Sequence, residues 1–477
     1  MKNYQQLLPQ FTIFLIAALF LSCASIAAPL QDPIRTESGY VAGTAVDGVR
    51  IYRGIPYGTP PVGELRWKEP QPVAPWQGVR DATEFSPWAA QSYPTPAVFE
   101  VKTDSDMSED SLYLNVLTPA ENSEQKLPVM VWLHGGGLDI LSGNMLRYNT
   151  PDLPATGAVV VTVNHRLGPF GYLAHPWLSE ESPYNASGHY GNLDLMLALH
   201  WVQNNIAAFG GDPKRVTIFG QSGGGRKVNF LMTSPLLPEG YFHRAISMSS
   251  SIDSISKDEA EQRGLALTEE LGVSSISELR ATPWRDIVAA AEKVGWRGQM
   301  VVDGWALPQP ITEIFAEGRQ RDVPFMIGMV KTEDAGHFNV PVQLLPTIKP
   351  GNSPVYAYTF TAVPAGWKEQ GVTGWHAIDM TYIFGDPKDS FENAKPEYVR
   401  AYPMRQGAQG ADPGFTAADV RFGENFKKIW VQFAATGNPS VKGVVDWPPY
   451  TADREKYLEL DQDLEIKTGY SKLRHGQ

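Results

Sequence analysis

VTIFGQSGGGRKV, residues 216–228, is the stretch whose reading decides the fold. Val216, Thr217, Ile218 and Phe219 are β-branched or aromatic, the composition of a short buried strand. Gly220, Gln221, Ser222, Gly223 and Gly224 then spell G-x-S-x-G, the pattern of a nucleophile elbow. In that device a sharp strand-to-helix turn holds a strained serine with its hydroxyl exposed. Glycines flank the serine because a Cβ there would strike the neighbouring strand and helix. Taken alone, the five residues would also suit a plain glycine-rich turn. The flanks separate the two readings.

Upstream, LPVMVWLH (127–134) is an almost wholly apolar run, expected of a central strand covered on both faces. It ends in His134-Gly135-Gly136-Gly137. Consecutive glycines after a central strand let backbone N–H groups turn into a cavity. There the N–H groups of Gly136 and Gly137, with that of Gly223, are expected to hold the oxyanion of a tetrahedral intermediate. AVVVTVNHRL (158–167) is a further buried strand. LDLMLALHWVQNNIAAFG (193–210) carries apolar residues at 193, 197, 201, 202 and 206, a helical period. Strand, helix, strand, elbow, helix predicts an α/β fold: a central, mostly parallel twisted sheet with helices on both faces. Short alternating runs from Gly39, such as Val49–Tyr52, predict an antiparallel hairpin at its N-terminal edge. His165, His189 and His200 are read as structural, since no acid or nucleophile pattern accompanies them.

The chain has 477 residues, 43% of them hydrophobic, and a formal net charge of −12. The acidic balance, with a pI near 5.3, argues against nucleic acid or an anionic membrane surface as partner. Residues 1–28 read as a signal peptide: Lys2, an apolar FTIFLIAALFL run (11–21) short for a membrane span, and a small-residue site at Ser25–Ala28. Residues 29–477 then form a single domain, exported to the periplasm or secreted, without a stable membrane span after cleavage. Lipoprotein processing at Cys23, the single cysteine, is a weaker alternative because Phe20 and Leu21 fit that pattern poorly. Cleavage after Ala27 leaves no cysteine and hence no disulfide. No clustered Cys/His set suggests a metal.

Several stretches together resemble the type B carboxylesterase family of α/β hydrolases, which includes bacterial p-nitrobenzyl-type esterases and the cholinesterases. They are YRGIPYGTPPVGELRW, SEDSLYLNV, VMVWLHGGG, VVVTVNHRLGPFGYLAHP, FGGDPKRVTIFGQSGG, VDGWALP and WVQFAATGNPS. The resemblance spans nearly the whole chain after the leader and implies the α/β-hydrolase fold with a Ser-Glu-His triad in that order. It assigns the nucleophile to Ser222. VPFMIGMV (323–330) leads into Lys331-Thr332-Glu333-Asp334, where Glu333 falls at the family's glutamate and Asp334 is the rival acid. GVTGWHAIDMTYIFG (371–385) resembles the histidine segment and assigns the base to His376. His337 comes too early for that slot, and His475 is read as a tail residue. Leu138, Gln221 and Trp375 are expected near the substrate. The implied activity is hydrolysis of small-molecule esters through an acyl-enzyme, with no metal or organic cofactor, by a monomer or homodimer. A non-catalytic binding member of the family and an acyl hydrolase of amides or lactams are the alternatives.

The sequence departs from the family in three places. A cysteine pair common in the family is replaced by Ala89 and Ser111. The residue before the nucleophile, commonly glutamate, is Gln221, which predicts weak preference for cationic alcohols such as choline. The acid and histidine are unusually close in sequence, which predicts either a more open pocket wall or a rearranged acid loop.

Overall fold

Along Leu127–Leu133 every second side chain belongs to one of two cores. Val129, Val131 and Leu133 pack into one apolar cluster, and Met130 and Trp132 into another. That alternation places the strand at the centre of a sheet covered on both faces. In this computed structural model the structure describes residues 32–92, 104–333, 340–349, 351–385 and 413–475. The proposed signal peptide and Cys23 lie outside the described residues, as do Asp334 and His337.

The main sheet has eleven strands. They are β1 (Thr44–Val46), β2 (Val49–Pro56), β3 (Tyr113–Thr118), β4 (Leu127–Leu133), β5 (Val159–Val163), β6 (Gly211–Gln221), β7 (Arg244–Met248), β8 (Phe325–Val330), β9 (Val355–Phe360), β10 (Tyr457–Leu460) and β11 (Glu465–Lys467). Their spatial order is β11-β10-β9-β8-β7-β6-β4-β5-β3-β2-β1. From β5 through β4, β6, β7, β8 and β9 to β10 all neighbours are parallel. The β5–β3, β3–β2, β2–β1 and β10–β11 pairs are antiparallel. The N-terminal hairpin turns at Asp47-Gly48, with φ of 50° and 79°. Two positive φ values at an Asp-Gly pair make the turn that matches strand twist.

One face is covered by α1 (Tyr190–Asn205) and α2 (Gly223–Thr233), the other by α3 (Asp379–Phe384) and α4 (Ala417–Thr436). The buried stripe of α1 runs through Leu195, Ala198, Leu199 and Val202, while Leu193 and Leu197 are only half-buried. The expected periodicity therefore located the helix, and Trp201, Val202 and Ile206 of the residues that suggested it are buried. Thr416 caps α4 with a reciprocal Thr416–Asp419 capping box, and Gly437 ends it in the left-handed region. No helix among the described residues is long and apolar enough to cross a membrane. Ala89 and Ser111 are both buried and line the same small void. The two departures from the cysteine pair thus share one location.

Candidate active site

β6 ends at Gln221 and α2 begins at Gly223, so Ser222 is the entire turn between strand and helix. Its backbone has φ 58° and ψ −124°, a conformation that strains any residue with a Cβ. The turn is held because the Ser222 N–H donates to the Met248 carbonyl at 2.9 Å, at the end of the neighbouring strand. The next residue has to be glycine: a Cβ on Gly223 would stand 1.8 Å from the Gly137 carbonyl oxygen. The serine turn and the glycine run after β4 therefore touch backbone to backbone.

That glycine run is itself shaped by position. Gly136 has φ 85°, and a Cβ there would meet the Ile140 carbonyl at 2.3 Å. The Gly136 carbonyl accepts from the Ile140 N–H at 3.1 Å. A trans peptide is planar, with C=O and N–H on opposite sides, so the Gly137 N–H points away from Ile140. Among the described residues, the N–H groups of Gly136, Gly137 and Gly223 donate to no protein acceptor. Gly136, Gly137 and Ser222 are all half-exposed on this side of the sheet.

Two loops after adjacent strands bring the acid and the base. β8 and β9 run in register to Val330 and Phe360, and the Lys331 N–H continues the pairing to the Phe360 carbonyl at 2.9 Å. Glu333 lies just beyond, its side chain only 1% exposed, and its Oε1 lies 2.7 Å from His376 Nδ1. A carboxylate oxygen only accepts, so Nδ1 carries the proton and Nε2 is left as the basic nitrogen. The two residues are 43 apart in sequence, yet the short interval still joins them. His376 is half-exposed.

Further side chains surround this pair. The Thr332 hydroxyl donates to the Gly374 carbonyl and ties the turn carrying Glu333 to the histidine segment. The Gln221 amide nitrogen lies 3.2 Å from His376 Nε2 and 3.4 Å from Nδ1, so the residue before Ser222 lies against the imidazole. Trp375 is half-buried with its ring 5.8 Å from that of Trp367. Leu138, expected near the substrate, is fully buried, and a Cβ on Gly298 would stand 2.9 Å from its Cβ. Its side chain therefore supports the glycine loop from beneath instead of lining an open pocket.

Behind the pair lies Asp379, fully buried, with no side-chain partner for either oxygen among the described residues. Burial pushes its carboxyl up to about 7; the Glu333 charge adds to the rise and His376 opposes it. A carboxyl whose folded pKa is raised stabilises the fold below its ordinary value and loses that contribution as pH rises through about 7. Above that pH the cost reaches on the order of 4 kcal/mol. Asp379→Asn cannot ionise, so its thermal midpoint should gain on wild type as pH rises from about 4 to about 7 and hold a constant lead from there to pH 9. Parallel melting curves for the two proteins across that range would show that Asp379 is not held neutral.

Three other histidines have structural surroundings. His189 Nε2 lies 2.7 Å from the Val301 carbonyl, His200 Nδ1 lies 2.8 Å from the Tyr241 hydroxyl, and His165 is fully buried.

Known proteins share this chain's sequence and fold over most of its length. The carboxylesterase family model matches residues 31–346 and 335–475. Over 491 residues the chain is 32% identical to fumonisin B1 esterase of Sphingopyxis macrogoltabida, covering 89% of this chain and 86% of that protein. It is 29% identical over 495 residues to para-nitrobenzyl esterase of Bacillus subtilis (strain 168), covering 91% and 96%. A solved thermophilic PNB esterase superposes with a TM-score of 0.77 at 29% identity, over 93% of this chain and 99% of that one. A Geobacillus stearothermophilus carboxylesterase gives 0.76 at 26% identity, over 93% and 99%. The chain belongs to the carboxylesterase family, with its α/β-hydrolase fold, and is a carboxylic ester hydrolase.

Proposed function

We propose that the protein is an exported serine carboxylesterase that works through an acyl-enzyme on Ser222. His376 Nε2 takes the proton of the Ser222 hydroxyl as the oxygen attacks an ester carbonyl. Glu333 fixes the tautomer and stabilises the imidazolium. The N–H groups of Gly136, Gly137 and Gly223 receive the oxyanion, aided by the positive end of α2. The proton passes to the departing alcohol; water then attacks the acyl-enzyme by the same route and releases the acid. The observation that carries this reading is the 2.7 Å contact of a buried carboxylate with His376 Nδ1, with the residue before the strained Ser222 lying against the same ring. Export rests on the leader-like residues 1–28.

The test is hydrolysis of p-nitrophenyl esters of increasing acyl length plus one aromatic ester. At least one member should reach a kcat/KM of about 10⁴ M⁻¹ s⁻¹, the lower range for enzymes. Rates indistinguishable from buffer across the whole series would leave a non-catalytic binding protein as the better account.

Alcohol preference should follow from Gln221. A neutral amide beside the imidazole offers no charge to a quaternary ammonium. Wild type should therefore hydrolyse a choline ester and its neutral 3,3-dimethylbutyl isostere at similar kcat/KM. Gln221→Glu should raise the choline-to-neutral ratio about tenfold, the worth of one partly screened charge. A strong choline preference already present in wild type would contradict this.

A further inference from the structure

Beneath the glycine loop lies a cluster of nitrogen bases that the reaction as described does not use. Lys227 is fully buried, five residues after Ser222 in the sequence and on the same helix. Its Nζ donates to the His134 carbonyl at 3.0 Å. His134 is fully buried too, with Nδ1 2.9 Å from the Gly135 carbonyl and Nε2 without a partner. A carbonyl only accepts, so His134 carries its proton on Nδ1. The ring of His165, also fully buried, is 4.8 Å away.

These bonds act on consecutive peptides. Lys227 holds the carbonyl of the 134–135 peptide, and His134 holds that of the 135–136 peptide. The N–H of the second peptide belongs to Gly136. Because the peptide is planar and trans, a carbonyl pinned toward His134 forces the Gly136 N–H to the side away from that ring. The Ile140 N–H does the same for Gly137. We propose that Lys227 and His134 are positioning residues for the reaction: they cross-link the nucleophile helix to the glycine loop and set the direction of its N–H donors. The inference rests on the reading that those donors receive the oxyanion.

A lysine in this place is otherwise a burden on the fold. Burial lowers its amine to about 7, with the Asp139 charge opposing the fall and Arg226 adding to it. Asp139 itself is engaged, its Oδ1 accepting from the Gly298 N–H at 2.9 Å. Replacing a buried cation by an apolar side chain of similar length is often neutral or stabilising. A lysine that only filled space should therefore be replaceable by methionine without loss of rate.

Lys227→Met and His134→Phe are compared with wild type in p-nitrophenyl ester kinetics and thermal melting. Each should lose tenfold or more in kcat with KM within about twofold, the signature of an interaction made only in the transition state. Affinity for a trifluoromethyl ketone, which mimics the tetrahedral intermediate, should fall in proportion to kcat/KM. The melting midpoint of Lys227→Met should stay level or rise. Wild-type kcat in either folded variant would overturn the proposal, as would a kcat loss with unchanged trifluoromethyl ketone affinity. Stoichiometric reaction of wild-type Ser222 with a fluorophosphonate, measured alongside, separates this failure from failure of the serine mechanism. In wild type itself, an exchange-protected His134 Nδ1–H signal in ¹⁵N-histidine NMR is expected whatever the variants' folding. Its absence, with the proton on Nε2, would also overturn the assignment.

Discussion

Ser222→Ala is expected to lower kcat for a p-nitrophenyl ester by on the order of 10⁵-fold or more, with little change in melting midpoint. The effect is large because the hydroxyl is the only covalent participant, and no neighbour can substitute for it at the elbow. Stability should change little because the turn is held by the Ser222 N–H to the Met248 carbonyl and by the close approach of Gly223 to Gly137, none of which involves the hydroxyl. The variant should still bind ester, and the backbone N–H groups alone should leave a residual rate above that in water. Steady-state kinetics and calorimetry on the same preparation check both halves. A variant with a wild-type melting curve and more than about a hundredth of the wild-type kcat would place the nucleophile elsewhere.

Glu333→Gln is expected to cost on the order of 10⁴-fold in kcat. Its carboxylate is 1% exposed and accepts from His376 Nδ1 at 2.7 Å, so the amide can reproduce the contact but not the charge. The imidazolium formed during attack would then face a neutral group in a buried setting. Asp334→Asn, the control for the rival acid, should leave kcat near the wild-type value. A large loss in Asp334→Asn together with a mild one in Glu333→Gln would exchange the two assignments.

Much of this site was legible before any coordinates, for identifiable physical reasons. An elbow is a local device: strand former, glycine, serine, glycine and helix follow one another, so the pattern in 216–228 carries its own geometry. The apolar run 127–134 likewise declares a strand buried on both sides. Asp379 was not legible. Three residues after His376, in the first turn of α3, it has the sequence appearance of a solvated helix-start acid. Only the packing of α3 beneath the loops reveals a buried carboxyl. Lys227 was missed for the same reason, since a lysine following Arg226 on a helix reads as a surface charge. Leu138 erred in the opposite direction: its place after the glycines suggests a pocket wall, and the fold turns it into the core. The close spacing of Glu333 and His376 raised the prospect of a rearranged acid loop. Parallel pairing of β8 with β9 explains why it is tolerated, because residues that follow adjacent parallel strands emerge side by side at the same edge of the sheet.

The central claim is that Ser222 is the acylated residue. Intact-mass measurement after incubation with a fluorophosphonate, followed by peptide mapping, tests it most directly. One adduct per chain, located on the peptide containing Ser222 and absent from Ser222→Ala, is the predicted result. No adduct on wild type, or an adduct that survives in Ser222→Ala, would contradict the account.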